Sequence, residues 1–391
     1  MKSFPLWAAA LLTGFSCLLS CARPAPADTR PKDYLPLLRG QRTAVFSNHS
    51  GMVGEKHLVD ILLDGGVTVT AIFSPEHGFR GKADAGEGVS DSLDPSTGVP
   101  ILSLYGPGGD VHPSADAMAR FDILVVDIQD VGLRFYTYYI TLCHLLDACG
   151  KYGKEVLILD RPNPNGHYVD GPILADSLKS GVGHLPIPVV HGLTLGELAR
   201  MAQGEGWLSE EGSACKLTVV PCRHYRHSKA YELPVAPSPN LPNMQAVYLY
   251  PSLCPFEGTV VSLGRGTDKP FQQYGHPAME ARYSYSFTPE SRPGAQNPPL
   301  KGQVCYGVDL SALPGADKVG LDLSYVIDAY TCLQEQGLEE GFFTPFFDKL
   351  LGVSWVREMI QEGCTQEQLR ARWAPEVEAF KQLRKKYLLY P

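Results

Sequence analysis

The sequence predicts an α/β protein, an open doubly wound and mostly parallel sheet followed by a second α/β unit. Three observations predict it. Short apolar runs alternate with amphipathic stretches from residue 43 onward, and polar residues begin where each run stops. The length of 391 residues also exceeds what one hydrophobic core usually serves.

Strands are expected at residues 43–46, 67–73, 99–104, 123–126 and 156–159, and helices at 58–63, 138–149 and 195–203. In an open sheet of this kind the ligand site lies beyond the carboxyl ends of the strands. Past about residue 205 the pattern changes. A strand at 217–220, a Pro-rich stretch at 234–242 and strands near 259–263 and 303–308 precede helices at 324–336 and 365–388. Thr365-x-x-Gln368 opens the last helix in the capping-box pattern. Residues 288–299, rich in Pro, Ser and Gly, read as an exposed loop.

The amino terminus sets the compartment. Lys2 precedes an uncharged apolar run over residues 4–19, the h-region of a signal peptide, too short and wrongly flanked to span a bilayer. Leu18-Leu19-Ser20-Cys21 resembles a bacterial lipobox, in which cleavage leaves an acylated Cys21 at the new terminus; an unlipidated signal is the alternative. The expected organisation is a signal peptide at 1–20, a tether at 21–35, a first domain at 36–205 and a second at 206–391. The expected location is the bacterial cell envelope, periplasmic or at the cell surface, with the membrane as a partner through the lipid.

A net charge of −8, with no basic cluster beyond Arg384-Lys385-Lys386, argues against a nucleic acid partner. The eight cysteines from Cys143 onward form no CxxC pair and are expected mostly as buried free thiols. The sequence contains no Gly-x-Ser-x-Gly elbow, Walker loop or HExxH, and Gly264-Arg265-Gly266 lacks the third glycine of a dinucleotide fingerprint. Neither a cofactor nor a metal is expected.

The strand ends carry the chemistry. Glu76 and His77 follow the second strand, with Arg80 and Glu87 close behind; Asp127, Gln129 and Asp130 follow the fourth; Asp160, Arg161 and Asn163 follow the fifth. Loops at His191 and at Ser238 and Asn240 have the same character, and polar groups converging at one sheet edge suggest a sugar site. Glycoside hydrolysis needs a protonated carboxyl to donate to the leaving oxygen and a second carboxylate to activate water or attack carbon. Glu76 and Glu87 lead as that pair, Asp127 and Asp130 compete with Glu87, and Asp127 alternatively caps the next helix. His77 assists a carboxyl, binds a hydroxyl or is structural. Arg80, Arg134 and Arg161 offer planar forks for a substrate carboxylate. Tyr136 and Tyr138 form either a stacking wall for a pyranose ring or core packing.

Several motifs occur in one order: Ser74-Pro-Glu-His-Gly-Phe-Arg-Gly81, Ala85-Gly-Glu87, Asp127-Ile-Gln-Asp-Val-Gly132 and Arg134-Phe-Tyr-Thr-Tyr138, then Leu159-Asp-Arg-Pro-Asn-Pro-Asn-Gly166, His191-Gly-Leu-Thr194, Pro237-Ser-Pro-Asn240, Gly264-Arg-Gly-Thr267 and Tyr387-Leu-Leu-Tyr390. From about residue 36 to the end, the chain resembles the bacterial exo-β-N-acetylmuramidases, a family formerly catalogued as a domain of unknown function. The resemblance implies a Rossmann-like first domain, a smaller C-terminal α/β domain and an active-site cleft between them. It also implies release of N-acetylmuramic acid from the non-reducing ends of muramyl-N-acetylglucosamine fragments in cell-wall turnover and recycling. Glu76 and Glu87 carry over by position as the catalytic carboxylates, and the lactyl carboxylate gives one arginine a specific job. The chain departs from the family at Val235-Ala236-Pro237, where a Trp often stands. The rival reading is a non-catalytic lipoprotein that binds muropeptides or other glycans.

Overall fold

The computed structural model describes residues 23–75, Phe79, 92–104, 113–318 and 320–391. The export segment with Cys21, and the candidates Glu76, His77, Arg80 and Glu87, lie outside the described residues.

The main sheet contains β1 (Arg42–Ser47), β2 (Thr68–Ser74), β3 (Ser92–Leu93), β4 (Pro100–Ser103), β5 (Ile123–Asp127), β6 (Glu155–Leu159) and β7 (Leu217–Val220), in the order β7-β6-β5-β1-β2-β4-β3. All neighbours run parallel except β3, which is antiparallel to β4. Side chains alternate across the sheet: Ala44, Phe46, Leu124 and Val126 enter one core, while Val45 and Val125 enter the other. Both faces are covered, which is why these strands read as unbroken apolar runs. α1 (Leu58–Asp64) covers one face through Leu58, Val59 and Leu62. α2 (Tyr138–Lys151) and α3 (Leu195–Gly204) cover the other, and α3 starts on a reciprocal Thr194–Glu197 capping box.

The second unit opens with α4 (Met244–Leu253) and carries a small antiparallel sheet, β8 (Gln273–His276), β9 (Tyr285–Phe287) and β10 (Cys305–Asp309), in the order β8-β10-β9. Helices α5 (Ser324–Gln334), α6 (Pro345–Leu351), α7 (Trp355–Gln361) and α8 (Gln366–Arg384) complete it. α8 has the expected Thr365–Gln368 capping box and returns to the first unit, where Trp373 Nε1 donates to Asp170 Oδ1 at 2.8 Å. The chain end is fastened to the same unit. Leu389 N donates to Glu197 Oε1 at 2.7 Å, and Tyr390 OH donates to Asp160 Oδ2 at 2.6 Å. All eight described cysteines are free thiols, seven of them buried. Among the described residues, no helix is long and apolar enough to cross a membrane.

Three expectations need correcting. The strand at 217–220 does not open the second unit: as β7 it pairs with β6, Leu217 to Val156 through Val220 to Leu159, so the first unit extends beyond residue 205. The stretch 21–35 is no free tether from Ala25 on, because Ala25 bridges Arg223, Asp28 is buried beneath Arg161, and Ala27 and Tyr34 belong to the core. Residues 259–263 form no strand. Thr259 and Ser262 each make a single bridge, to Phe343 and Gly275, before the chain turns into the Gly264–Gly266 loop.

Candidate active site

β1 lies between β2 and β5, so the strand order reverses there and the crevice beyond its carboxyl end is where such sheets bind ligands. A buried polar lattice occupies that position. Asn48 Nδ2 donates to Tyr138 OH at 2.9 Å, Ser50 Oγ donates to Asn48 Oδ1 at 2.6 Å, and Gln129 N donates to Ser50 Oγ at 3.0 Å. His57 Nδ1 accepts from Val59 N while Nε2 lies 2.8 Å from Asn48 O. The lattice sets the path of the loop after β5, which then runs into Phe135–Tyr138.

That segment forms one wall of a cavity of about 190 Å³ between the two units. Tyr136 and Tyr138 stand edge to face, 4.8 Å between ring centroids. The crossing segment supplies Ser238 and Asn240, and the second unit supplies Tyr250, Glu257, Arg265 and Phe271. Tyr136 OH ties the walls together by donating to Pro237 O at 2.8 Å, and His49 Nε2 lies 2.8 Å from Ala236 O. The segment that departs from the family at 235–237 therefore touches the site through its backbone. A second chamber of about 440 Å³ shares Glu257, Arg265 and Phe346 with the first.

The structure divides the expected site residues in two. Tyr136, Tyr138, Ser238 and Asn240 line the cleft. Arg161 does not face a ligand: its Nε donates to Asp127 Oδ1 at 2.6 Å and its Nη2 to Asp28 Oδ2 at 2.5 Å, all three side chains being buried. Asp127 is correspondingly a counter-ion and not a helix cap or a base open to water. Burial, then the neighbouring Asp127, raises the Asp28 pKa, and Arg161 offsets part of the rise. Arg134 is wholly buried and donates to the carbonyls of Pro172, Ile187 and Leu350 at 2.7 to 3.0 Å, so it joins the two units instead of reading a carboxylate.

Asp160 accepts from Thr194 Oγ1, Gly196 N and Tyr390 OH, which makes it the anchor of the chain terminus; burial raises its pKa to about 6. Asn163 bridges Leu193 O and Asn165 N, and packs so closely on Gly132 that a Cβ there would meet it at 2.2 Å. His191 Nδ1 accepts from Leu193 N, and burial, then Arg384, lowers its pKa to about 3, leaving it neutral. Gln129 donates to the carbonyls of Asp130 and Pro162. These four groups shape the crevice without lining the cavity.

Asp130 behaves differently. Oδ1 accepts from Gly132 N at 2.6 Å, whereas Oδ2 is buried with no hydrogen-bond partner among the described residues. Burial raises its pKa to about 7, so a proton is retained close to neutrality, the state a general acid needs. Burial, then the neighbouring Tyr138, raises the Tyr136 pKa well above that of an ordinary phenol. Among the described residues no cluster of His, Cys, Asp or Glu could hold a metal ion.

Sequence reasoning gave no site role to Tyr250, Glu257, Arg265 or Phe271. One signal was present: glycines on both sides of Arg265, which the structure holds at φ 85° and 77°.

Comparison with known proteins agrees with this architecture. Residues 43–245 match the family described as exo-β-N-acetylmuramidase NamZ, N-terminal, and residues 248–390 match its C-terminal counterpart. The chain is 36% identical over 390 residues to the peptidoglycan β-N-acetylmuramidase NamZ of Bacillus subtilis (strain 168), covering 93% of this chain and 90% of that protein. A DUF1343 family protein of Bacteroides fragilis superimposes with a TM-score of 0.86 at 55% identity, covering 94% of this chain and 99% of the other. A second from the same organism gives 0.79 at 26% identity, with the same coverage. With both halves matched and the fold shared, the chain belongs to the exo-β-N-acetylmuramidase NamZ family.

Proposed function

We propose that the chain is an exported, lipid-anchored glycosidase that releases N-acetylmuramic acid from the non-reducing ends of peptidoglycan fragments. The observation that carries the activity is the kinship with the Bacillus subtilis β-N-acetylmuramidase over nearly the whole of both chains. The cleft is consistent with it. Aromatic side chains offer faces for a pyranose ring, Ser238 and Asn240 offer polar edges, and Arg265 stands in the wall.

Bond cleavage requires a proton for the departing oxygen and a carboxylate for water or the anomeric carbon. Glu76 and Glu87 are the candidates by position in the sequence. Asp130 joins them as a carboxyl that keeps its proton near neutrality. His77, next to Glu76 in the sequence, is the candidate to assist the carboxyl or bind a hydroxyl, and Arg80 is a candidate fork for a substrate carboxylate. The anchor rests on the apolar run ending at Leu18-Leu19-Ser20-Cys21 and places the enzyme at the bacterial cell envelope.

The test is hydrolysis of a chromogenic β-N-acetylmuramide beside the β-N-acetylglucosaminide. Hydrolysis of the muramide, lost in Glu76→Gln, supports the enzyme. A folded chain that binds N-acetylmuramic acid but cleaves neither glycoside would make it a binding lipoprotein. For the anchor, mass spectrometry of the mature amino-terminal peptide should find acyl chains on Cys21. An unmodified terminus elsewhere would refute it.

A further inference from the structure

The arginines expected to receive a substrate carboxylate are, where described, occupied. Arg134 holds three backbone carbonyls and Arg161 holds two aspartates. Arg265 is placed otherwise. It stands in the wall shared by the two chambers of the cleft, with about 20% of its side chain open to solvent.

One edge of its fork is fixed. Nε and Nη2 both reach Glu257 Oε1, at 2.7 and 2.6 Å, and the guanidinium carbon sits 5.0 Å from the centre of the Phe271 ring. Among the described residues, Nη1 makes no hydrogen bond. The group is thus oriented in advance with one donor edge unclaimed, the arrangement that lets an arginine select a planar carboxylate. Glu257 offsets part of the charge, so recognition depends on the donor edge more than on long-range attraction.

The backbone around Arg265 is built to hold that pose. A Cβ on Gly264 would fall 2.6 Å from Lys269 O, and one on Gly266 would fall 2.4 Å from Glu290 O, so only glycine fits on either side. Thr267 Oγ1 donates to Gly264 O at 2.6 Å and accepts from Gln273 Nε2 at 2.7 Å, which fastens the loop to β8. Phe271 has φ 55°, a left-handed conformation that a bulky residue rarely adopts and that the surrounding structure must enforce. The strained backbone at Phe271 thus lies under the guanidinium that its ring supports.

N-acetylmuramic acid differs from N-acetylglucosamine by a lactyl ether that ends in a carboxylate. We infer that Arg265 receives this carboxylate and is the residue that separates the two sugars, while Tyr136 and Tyr250 face the ring they share. The inference rests on the muramidase reading above.

The test changes the charge of ligand and protein in turn. Full-length chain, Arg265→Gln and Arg265→Lys are titrated calorimetrically with N-acetylmuramic acid and with its neutral lactamide, and assayed on the matching chromogenic glycosides. The wild type should prefer the acid roughly ten- to a hundredfold, the value of a hydrogen bond to a charged group. Arg265→Gln should bind both ligands alike and lose more kcat/KM on the muramide than on the lactamide glycoside. Arg265→Lys, with the charge but not the fork, should fall between. Equal losses on both ligands would reduce Arg265 to a packing role and overturn the proposal. So would a wild type without preference for the acid, which decides the matter even if the variants do not fold. If neither glycoside is hydrolysed but the preference exists and disappears in Arg265→Gln, Arg265 stands and the muramidase reading falls.

Discussion

Replacing Arg161 with Leu should unfold the protein at lower temperature, because the guanidinium is the counter-ion of two aspartates that make no other ion pair among the described residues. Its side chain is 2% exposed, and those of Asp28 and Asp127 are 0% exposed. Removing one partner of a buried ion pair costs about 3–5 kcal/mol, since the charge left behind is desolvated and uncompensated. For a chain of this size that corresponds to a fall in Tm on the order of 5 °C. The deficit has a pH signature. Burial and Asp127 already raise the Asp28 pKa, and loss of Arg161 raises it further. A carboxyl whose folded pKa lies above its unfolded value contributes stability at low pH that is lost as pH rises. Thermal melts followed by circular dichroism should therefore show a larger deficit at pH 8 than at pH 5. Adding Asp28→Asn and Asp127→Asn to Arg161→Leu should recover part of the loss. A Tm within about 2 °C of wild type, together with a raised KM, would refute the reasoning and return Arg161 to substrate.

Other residues give separate tests. Asp130→Asn should gain stability relative to wild type as pH rises from about 4 to about 7, because the native carboxyl holds its proton through that window; the span corresponds to at most ~4 kcal/mol. If Asp130 is the proton donor, the same variant loses kcat in proportion to kcat/KM, and an unchanged pH–rate profile would count against that role. Tyr390→Phe removes a donor from Asp160, whose pKa burial raises to about 6, so the loss of about 1–3 kcal/mol should appear at pH 8 and shrink below pH 6. Glu257→Gln should raise KM for muramides by loosening Arg265, by less than Arg265→Gln does, with Tm little changed. A larger effect than that of the arginine variant would mean Glu257 itself touches substrate.

The sheet was legible because its strands are buried on both faces and stop at polar residues. Each expected strand from 43–46 to 156–159 appears within about two residues of its place, for reasons of periodicity that act locally. What was not legible depended on distant partners. Asp28 reads as part of a Pro/Ala-rich tether until Arg161 is seen 133 positions away. Arg134 and Arg161 look like substrate forks, because sequence gives no account of which carbonyls or carboxylates fold over them. The strand at 217–220 was recognised as a strand but assigned to the wrong sheet, since parallel pairing with β6 leaves no mark in its own residues. At the cleft, Tyr136, Tyr138, Ser238 and Asn240 stand where loops after the strands led sequence reasoning to look, and both tyrosines also pack in the main core, the alternative that the sequence left open. Arg265 entered only within an incomplete dinucleotide motif and within Gly264-Arg-Gly-Thr267, one of the motifs of the family resemblance, and was given no role at the site. The two glycines were informative for a different reason: each lies where a Cβ would strike backbone.

The most direct measurement is product analysis by mass spectrometry after the full-length chain acts on peptidoglycan digested to muramyl-N-acetylglucosamine repeats. Free N-acetylmuramic acid should be released, one residue from the non-reducing end of each chain, and the chains, now ending in N-acetylglucosamine, should resist further cleavage. Internal fragments without free N-acetylmuramic acid, or no cleavage by a folded protein, would contradict the account.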